Sequence, residues 1–208
     1  MKSQEKNFLP LPNSFFLRDT RTVAKNLLGK GLYLKSGKTV LLAEIVEVEA
    51  YLGSGDPASH AFRGITKRNW PMFEEGGMCY VYLSYGINFC MNVVTREKGI
   101  GEAVLLRAAI PLLGIKKIKK NRGKLFDNRS NAIKNLLSGP GKLTQGFGID
   151  LRHNGLTYDR ENFKLVDLRR DPLKSIIASS TRIGISKAKD SPYRYFISGS
   201  NWLSKKEK

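Results

Sequence analysis

The first strongly patterned stretch opens at Asp19, a side chain suited to cap a helix, runs through TRTVAKNLL and stops at Gly29. Two apolar-rich runs follow, GLYLK and TVLLAEIVEVEAYL, and the Ser36-Gly37-Lys38 turn between them predicts a β-hairpin. The second run is apolar on both alternating faces, so it is expected to be a central strand buried on both sides. MCYVYLSYGINFCMNVV predicts two more strands around a tip near Ser84-Tyr85-Gly86, and EAVLLRAAIP a further buried strand ending at Pro111. Next, IKKIKKNRGK and NAIKNLLSG have helical character, and GKLTQGFGI predicts a short helix opened by Gly139-Pro140. FKLVDL, TRIGIS and YRYFISG predict the remaining strands, and SKKEK a frayed tail. Helices and strands mix without a βαβ rhythm, so the expected fold class is α+β, built on an antiparallel or mixed sheet.

Between these elements, residues 53–77 form the longest irregular stretch, rich in Gly, Ser, Pro and Arg. Loops of that length are usually functional. Residues 1–13 carry two prolines and predict an extended arm, which leaves one domain over 14–204 and a short basic tail over 205–208.

Charge changes the picture most. The 208 residues hold 36 Lys and Arg against 18 Asp and Glu, a net +18. Such an excess repels itself in a compact fold, so a polyanionic partner is expected, with nucleic acid foremost. Only two Cys and two His are present, with no spacing typical of a zinc site, so neither metal nor cofactor is expected. Cys79 and Cys90 fall out of register across the predicted hairpin, which argues against a disulfide. No apolar stretch has signal-peptide or membrane-spanning length, so an intracellular protein is expected.

Candidate chemistry sits at a few places. Alternation along the long strand projects Glu47, Glu49 and Tyr51 to one face, together with Ile45 and Ala43. Carboxylates in an apolar strand are costly to bury unless paired. They either sit where the strand emerges, against surface Lys or Arg, or they form a site. A two-carboxylate sugar hydrolase fits poorly, because i and i+2 side chains lie side by side and cannot straddle a bond. Arg107, in the apolar EAVLLRAAIP, needs an acceptor, and Glu49 or Glu47 is the obvious one. His60 in GSGDPASHAFRG is either a surface residue or part of a base pocket. Tyr85 at a turn tip, followed by Ile87, is either folded back on its hairpin or a wedge that unstacks DNA bases.

Together these residues resemble the alkyladenine DNA glycosylase family, the 3-methyladenine DNA glycosylases of the eukaryotic type. The similarity runs in order through EIVEVEAYLG, GDPASHAFRG, MFEEGGMCYVYLSYGINFCMNVV, AVLLRAAIP, LSGPGKLTQGFGI, TRIGI and YRYFISGSNWLS, over roughly residues 14–204. The resemblance implies a single α+β domain with a curved, mainly antiparallel sheet, flanking helices and a protruding hairpin. It implies a monomeric, monofunctional DNA repair enzyme acting on double-stranded DNA with damaged bases, in the cytoplasm or nucleoid of a bacterium or the nucleus of a eukaryote. Carried over, Glu49 is the general base and Arg107 fixes the attacking water, with the Ile183 backbone carbonyl completing its cage. Tyr51, His60 and Tyr82 become stacking walls for a flipped base, Asn92 excludes guanine, and Tyr85 with Ile87 intercalates. Vertebrate members carry Met where Ile87 stands, and their loop around His60 differs. A non-catalytic nucleic-acid binder on the same fold is the main alternative, and intact Glu49 and Arg107 argue against it.

Overall fold

The computed structural model describes residues 8–123, 133–168 and 176–206. In chain order the elements are α1 (Asn13–Phe16), α2 (Thr20–Leu27), β1 (Gly31–Ser36), β2 (Thr39–Tyr51), β3 (Cys79–Ser84), β4 (Asn88–Thr95), β5 (Glu102–Leu113), α3 (Ile115–Arg122), α4 (Pro140–Phe147), β6 (Asp159–Arg160), β7 (Phe163–Val166), β8 (Ile177–Ser180) and β9 (Arg194–Ile197). Asp19 caps α2 by accepting from the Arg21 and Thr22 N–H groups, as its position in the sequence requires.

The strands form one curled sheet in the order β3-β4-β5-β2-β1-β7-β6, with β9 joining β2 and β8 joining β9. Every pairing is antiparallel. β2 is the spine. β5 follows one of its edges, while the other is shared by β1 at Thr39–Glu44 and β9 at Glu47–Glu49. Most of its side chains on both faces are buried, which explains the largely apolar TVLLAEIVEV run. Val23, Ala24 and Leu27 of α2, Ile118 of α3, and Leu143 and Phe147 of α4 pack into one apolar cluster with the strands.

Three expectations need correction. β5 continues through Pro111 to Leu113. Pro111 lies beside a register irregularity at Leu42 and Ala43, the kind of place where a missing N–H is tolerated in a sheet. TRIGIS is a loop, and the strand precedes it at Ile177–Ser180. NAIKNLLSG shows only a single turn at Ile133–Asn135 before Ser138 bridges Ala108 of β5, and residues 124–132 lie outside the described residues. Hydrogen bonds from Ala109 to the Leu137 carbonyl and from Gly139 to the Arg107 carbonyl replace the helical ones there.

The hairpin β3–β4 stands on α4. A Cβ on Gly141 would fall 2.8 Å from Asn88 Cβ, so glycine is what lets the helix approach the hairpin, and Thr144 Oγ1 donates to the Phe89 carbonyl at 2.8 Å. Cys79 faces Val93 and Cys90 faces Tyr82, so the two free thiols are out of register. The 53–77 loop carries its own small apolar cluster, in which Ala61 and Met72 pack on Tyr80, Val94 and Ala103. Among the described residues, no helix is long and apolar enough to cross a membrane.

Candidate active site

The pairing of β2 with β5 is irregular between Ile45 and Val48. A bulge of this kind shifts side-chain alternation by one residue. Ala43 and Ile45 therefore join the core with Val48 and Ala50, not the face of Glu47, Glu49 and Tyr51 as strict alternation predicts. The irregularity is what sends two glutamates to the far side of an otherwise apolar strand.

Both carboxylates are completely buried, and Arg107, at 6% exposure, meets both. Its Nε lies 3.1 Å from Glu47 Oε1 and its Nη1 lies 3.1 Å from Glu49 Oε1. Among the described residues, neither glutamate pairs with surface Lys or Arg. Glu47 also accepts from Arg194 Nε at 2.8 Å, from Ser204 Oγ at 2.7 Å and from the Ser204 N–H. Burial pushes the Glu47 pKa up, but the Arg107 charge and the Ser204 and Arg194 donors outweigh it and hold the carboxyl below its usual value. Ser204 and Lys205 were expected to fray. They are tied down instead, Ser204 by Glu47 and the Lys205 carbonyl by Arg194 Nη2 at 2.7 Å.

Glu49 is bonded differently. Tyr51 OH donates to its Oε2 at 2.9 Å, and the Ile183 N–H donates to Oε1 at 2.7 Å. With Arg107 this makes three donors for a carboxylate that offers about four acceptor sites. One acceptor direction is left. Burial, then the neighbouring Glu49 charge, drives the Tyr51 phenol pKa far above its ordinary value, so the hydroxyl remains a donor.

A cleft of about 720 Å³ opens over this cluster, and Tyr51, His60, Tyr82, Asn92, Arg107 and Ile183 all line it. Glu49 lies just behind that lining, in contact with three of its members. His60 is exposed towards the opening, yet it is held in place. Its Nδ1 is 2.9 Å from Tyr80 OH, its ring meets Tyr82 edge-on at 4.5 Å, and Asn69 Nδ2 donates to its carbonyl at 2.8 Å. Desolvation along the wall, then the positive Arg68, pushes the imidazole pKa below its usual value. Asn92 is buried and donates from Nδ2 to the Tyr80 carbonyl at 3.0 Å.

Tyr85 and Ile87 stand apart from the cluster at the hairpin tip, 89% and 78% exposed. Tyr85 borders the cleft and also a second groove between the hairpin and α4, where Ile87 joins it. The tyrosine is not folded back on its hairpin. It also holds φ at 51°, ahead of Gly86 at 71°. A turn with positive φ at both centres selects Asn or Gly, and a bulky residue there costs about 1–2 kcal/mol. Neither packing nor turn chemistry selects a tyrosine at this point.

Sequence reasoning missed several contributors. Arg194 follows the rule that flagged Arg107, a cation inside an apolar strand, and was legible in YRYFISG. Tyr80, Arg68 and Ser204 carry no such signal. The buried pair of Asp56 and Arg182 joins two loops, and nothing in either loop's sequence announces it.

The family model of methylpurine-DNA glycosylase matches residues 14–201. The chain belongs to the methylpurine-DNA glycosylase family. As a member of it, the protein is a monofunctional DNA glycosylase, a hydrolase of N-glycosyl bonds. It is 44% identical over 189 residues to a Francisella tularensis protein, covering 90% of this chain and 94% of that one. A Carboxydothermus hydrogenoformans protein is 44% identical, with 94% and 99% covered, and one from Methanoculleus marisnigri is 42% identical, with 95% and 100% covered. All three carry the provisional name 3-methyladenine DNA glycosylase. In this glycosylase the cleft, the buried carboxylates and the hairpin all fall within the matched span.

Proposed function

We propose that the enzyme flips a damaged purine, alkylated adenine or a related lesion, out of duplex DNA and hydrolyses its N-glycosidic bond with an activated water, leaving an abasic site. The observation that carries this reading is the buried Glu49 carboxylate, with one acceptor direction left, directly behind an aromatic cleft. A base inside the stack shields its sugar, so it must be extruded at a cost of about a few kcal/mol. Tyr85 enters the vacated space, with Ile87 beside it, and the flipped base stacks between Tyr51 on one side and His60 with Tyr82 on the other. Asn92 crowds the exocyclic amine of guanine and rejects it.

Glu49 accepts a proton from water as the oxygen attacks the anomeric carbon, and Arg107 with the Ile183 carbonyl holds that water. The bonding electrons return to the departing base. A cationic alkylpurine is neutralised by them and leaves directly, while a neutral lesion takes up a proton as it goes. The +18 charge suits duplex DNA as the partner and the inside of the cell as the place of action.

The test is a duplex with one defined lesion. Free base and an alkali-labile abasic site are expected. Borohydride is expected to trap no covalent protein–DNA adduct, because water rather than a lysine amine attacks. No base release from any lesion sinks the reading, and a trapped adduct sinks the water mechanism.

Truncating the wedge is expected to impair flipping and leave folding intact. Tyr85→Ala removes a side chain that is 89% exposed, so the melting temperature should stay within about 2 °C. Single-turnover release should fall more for a well-paired lesion than for the same lesion in a mismatch or single strand, where the base is already loose. Equal losses in both contexts would place Tyr85 in cleavage or general binding.

A further inference from the structure

Behind the cleft lies a charged pair that the mechanism does not use. Arg182 and Asp56 are 5% and 2% exposed, and they join the loop before β9 to the loop after β2. Arg182 Nη2 donates to Asp56 Oδ1 at 2.8 Å, and Nη1 donates to Asp56 Oδ2 and to the Ala50 carbonyl. Asp56 also accepts the N–H groups of Leu52 and Ala58, each at 3.1 Å. The guanidinium carbon lies 4.6 Å from the centre of the Tyr51 ring and 5.3 Å from that of Tyr193. Its Nε finds no hydrogen-bond partner among the described residues, so the two rings, one carboxylate and the Ala50 carbonyl decide where the group sits.

Tyr51 lines the cleft while Arg182 is buried behind it. One face of the ring is thus covered by a guanidinium, and the face towards the cleft is the one left for a base. An aromatic face attracts cations through its quadrupole, and that attraction is worth most where water is excluded. A cation on the far face draws the same π density towards itself and repels a second cation across the ring. The opposite wall differs: Arg68 lies 5.3 Å from the Tyr82 ring centre, but it is exposed and lines the cleft itself.

We propose that the Asp56–Arg182 pair is a specificity-determining device: the guanidinium held against the outer face of Tyr51 tempers the ring's pull on cationic bases and moves the pocket's preference towards neutral damaged purines. Arg182 does not touch the base and acts through Tyr51. Asp56 limits the effect by neutralising Arg182. This inference rests on the base-flipping reading of the cleft and adds the charge of the favoured substrate.

The experiment compares single-turnover release of a cationic N-alkylpurine with release of neutral hypoxanthine, from otherwise identical duplexes. Arg182→Gln keeps donors for Asp56 and removes the cation, so the cationic-to-neutral ratio should rise by about three- to tenfold. Asp56→Asn strands the cation, so the ratio should fall by about the same factor. A merely structural pair would slow both lesions in parallel and move both variants the same way. If melting curves show that a single variant does not fold, the double variant Asp56→Asn/Arg182→Gln replaces it and should raise the ratio, because no charge is left behind Tyr51. Folded variants with an unmoved ratio, or with ratios moving in the same direction, overturn the inference alone. Failure of the unaltered enzyme to release either base removes the reading beneath it as well.

Discussion

Glu49→Gln is expected to slow single-turnover base release by about 10²- to 10⁴-fold, the usual cost of losing a general base. The amide keeps the volume of the side chain and can still accept the Ile183 N–H, which lies 2.7 Å from Oε1 in the unaltered enzyme. It cannot take a proton from water at neutral pH. Arg107 retains Glu47 as an acceptor, so the buried guanidinium is not stranded. Lesion-duplex binding should therefore stay within a few-fold of wild type, since Glu49 lies behind the cleft lining and not on it. Gel-shift affinity and chemical quench on the same protein separate the two effects. Release within a few-fold of the unaltered enzyme would remove Glu49 from its role as base.

The second large effect is on stability. Arg107→Met keeps the length and apolar stem but leaves two fully buried carboxylates short of a cation. Breaking a buried ion pair from one side costs about 3–5 kcal/mol. For a chain of this size that lowers the melting temperature by on the order of 10 °C. Arg194 still serves Glu47, whereas Glu49 keeps, among the described residues, the Tyr51 hydroxyl and the Ile183 N–H. The pH dependence identifies the cause. The folded-state pKa of Glu47 is depressed, so its stabilisation is present above the ordinary carboxylate value of 4.5 and is lost as pH falls through the lower folded value. Arg107 is the largest influence lowering it, so the gap in melting temperature between wild type and Arg107→Met should narrow over that acidic window. A gap of under 2 °C at neutral pH would show that Arg107 is not the counter-charge on which the cluster depends.

Much of the site was legible because burial constrains charge so tightly. Arg107 in an apolar strand demanded a carboxylate, and Glu47 and Glu49 were the obvious candidates on another buried run. Arg194 obeyed the same logic. Tyr85 stood out for the opposite reason, as an aromatic where turn chemistry asks for Asn or Gly. His60, by contrast, gave no local sign of its anchoring, since Tyr80 and Tyr82 reach it from β3 and Asn69 from farther along its own loop. The TRIGIS strand was misplaced because apolar alternation also describes a loop pinned by one buried arginine and one backbone donor to Glu49.

What the sequence determined by itself was therefore most of the elements, the central place of β2, the hairpin and the position of its tip, the basic character and the need of Arg107 for an acid. These follow from local rules: alternation, capping, turn chemistry and the cost of an unpaired buried charge. Only the tertiary structure decided which way the glutamates point. The irregularity between Ile45 and Val48 shifts alternation by one residue, and strand periodicity cannot reveal a bulge set by pairing with β5. The chain's fold likewise brought Ser204, Arg194, Ile183 and Arg182, all far along the sequence, around two glutamates and one tyrosine. Those contacts depend on loop paths and sheet curvature, and no short-range pattern in the sequence encodes either one.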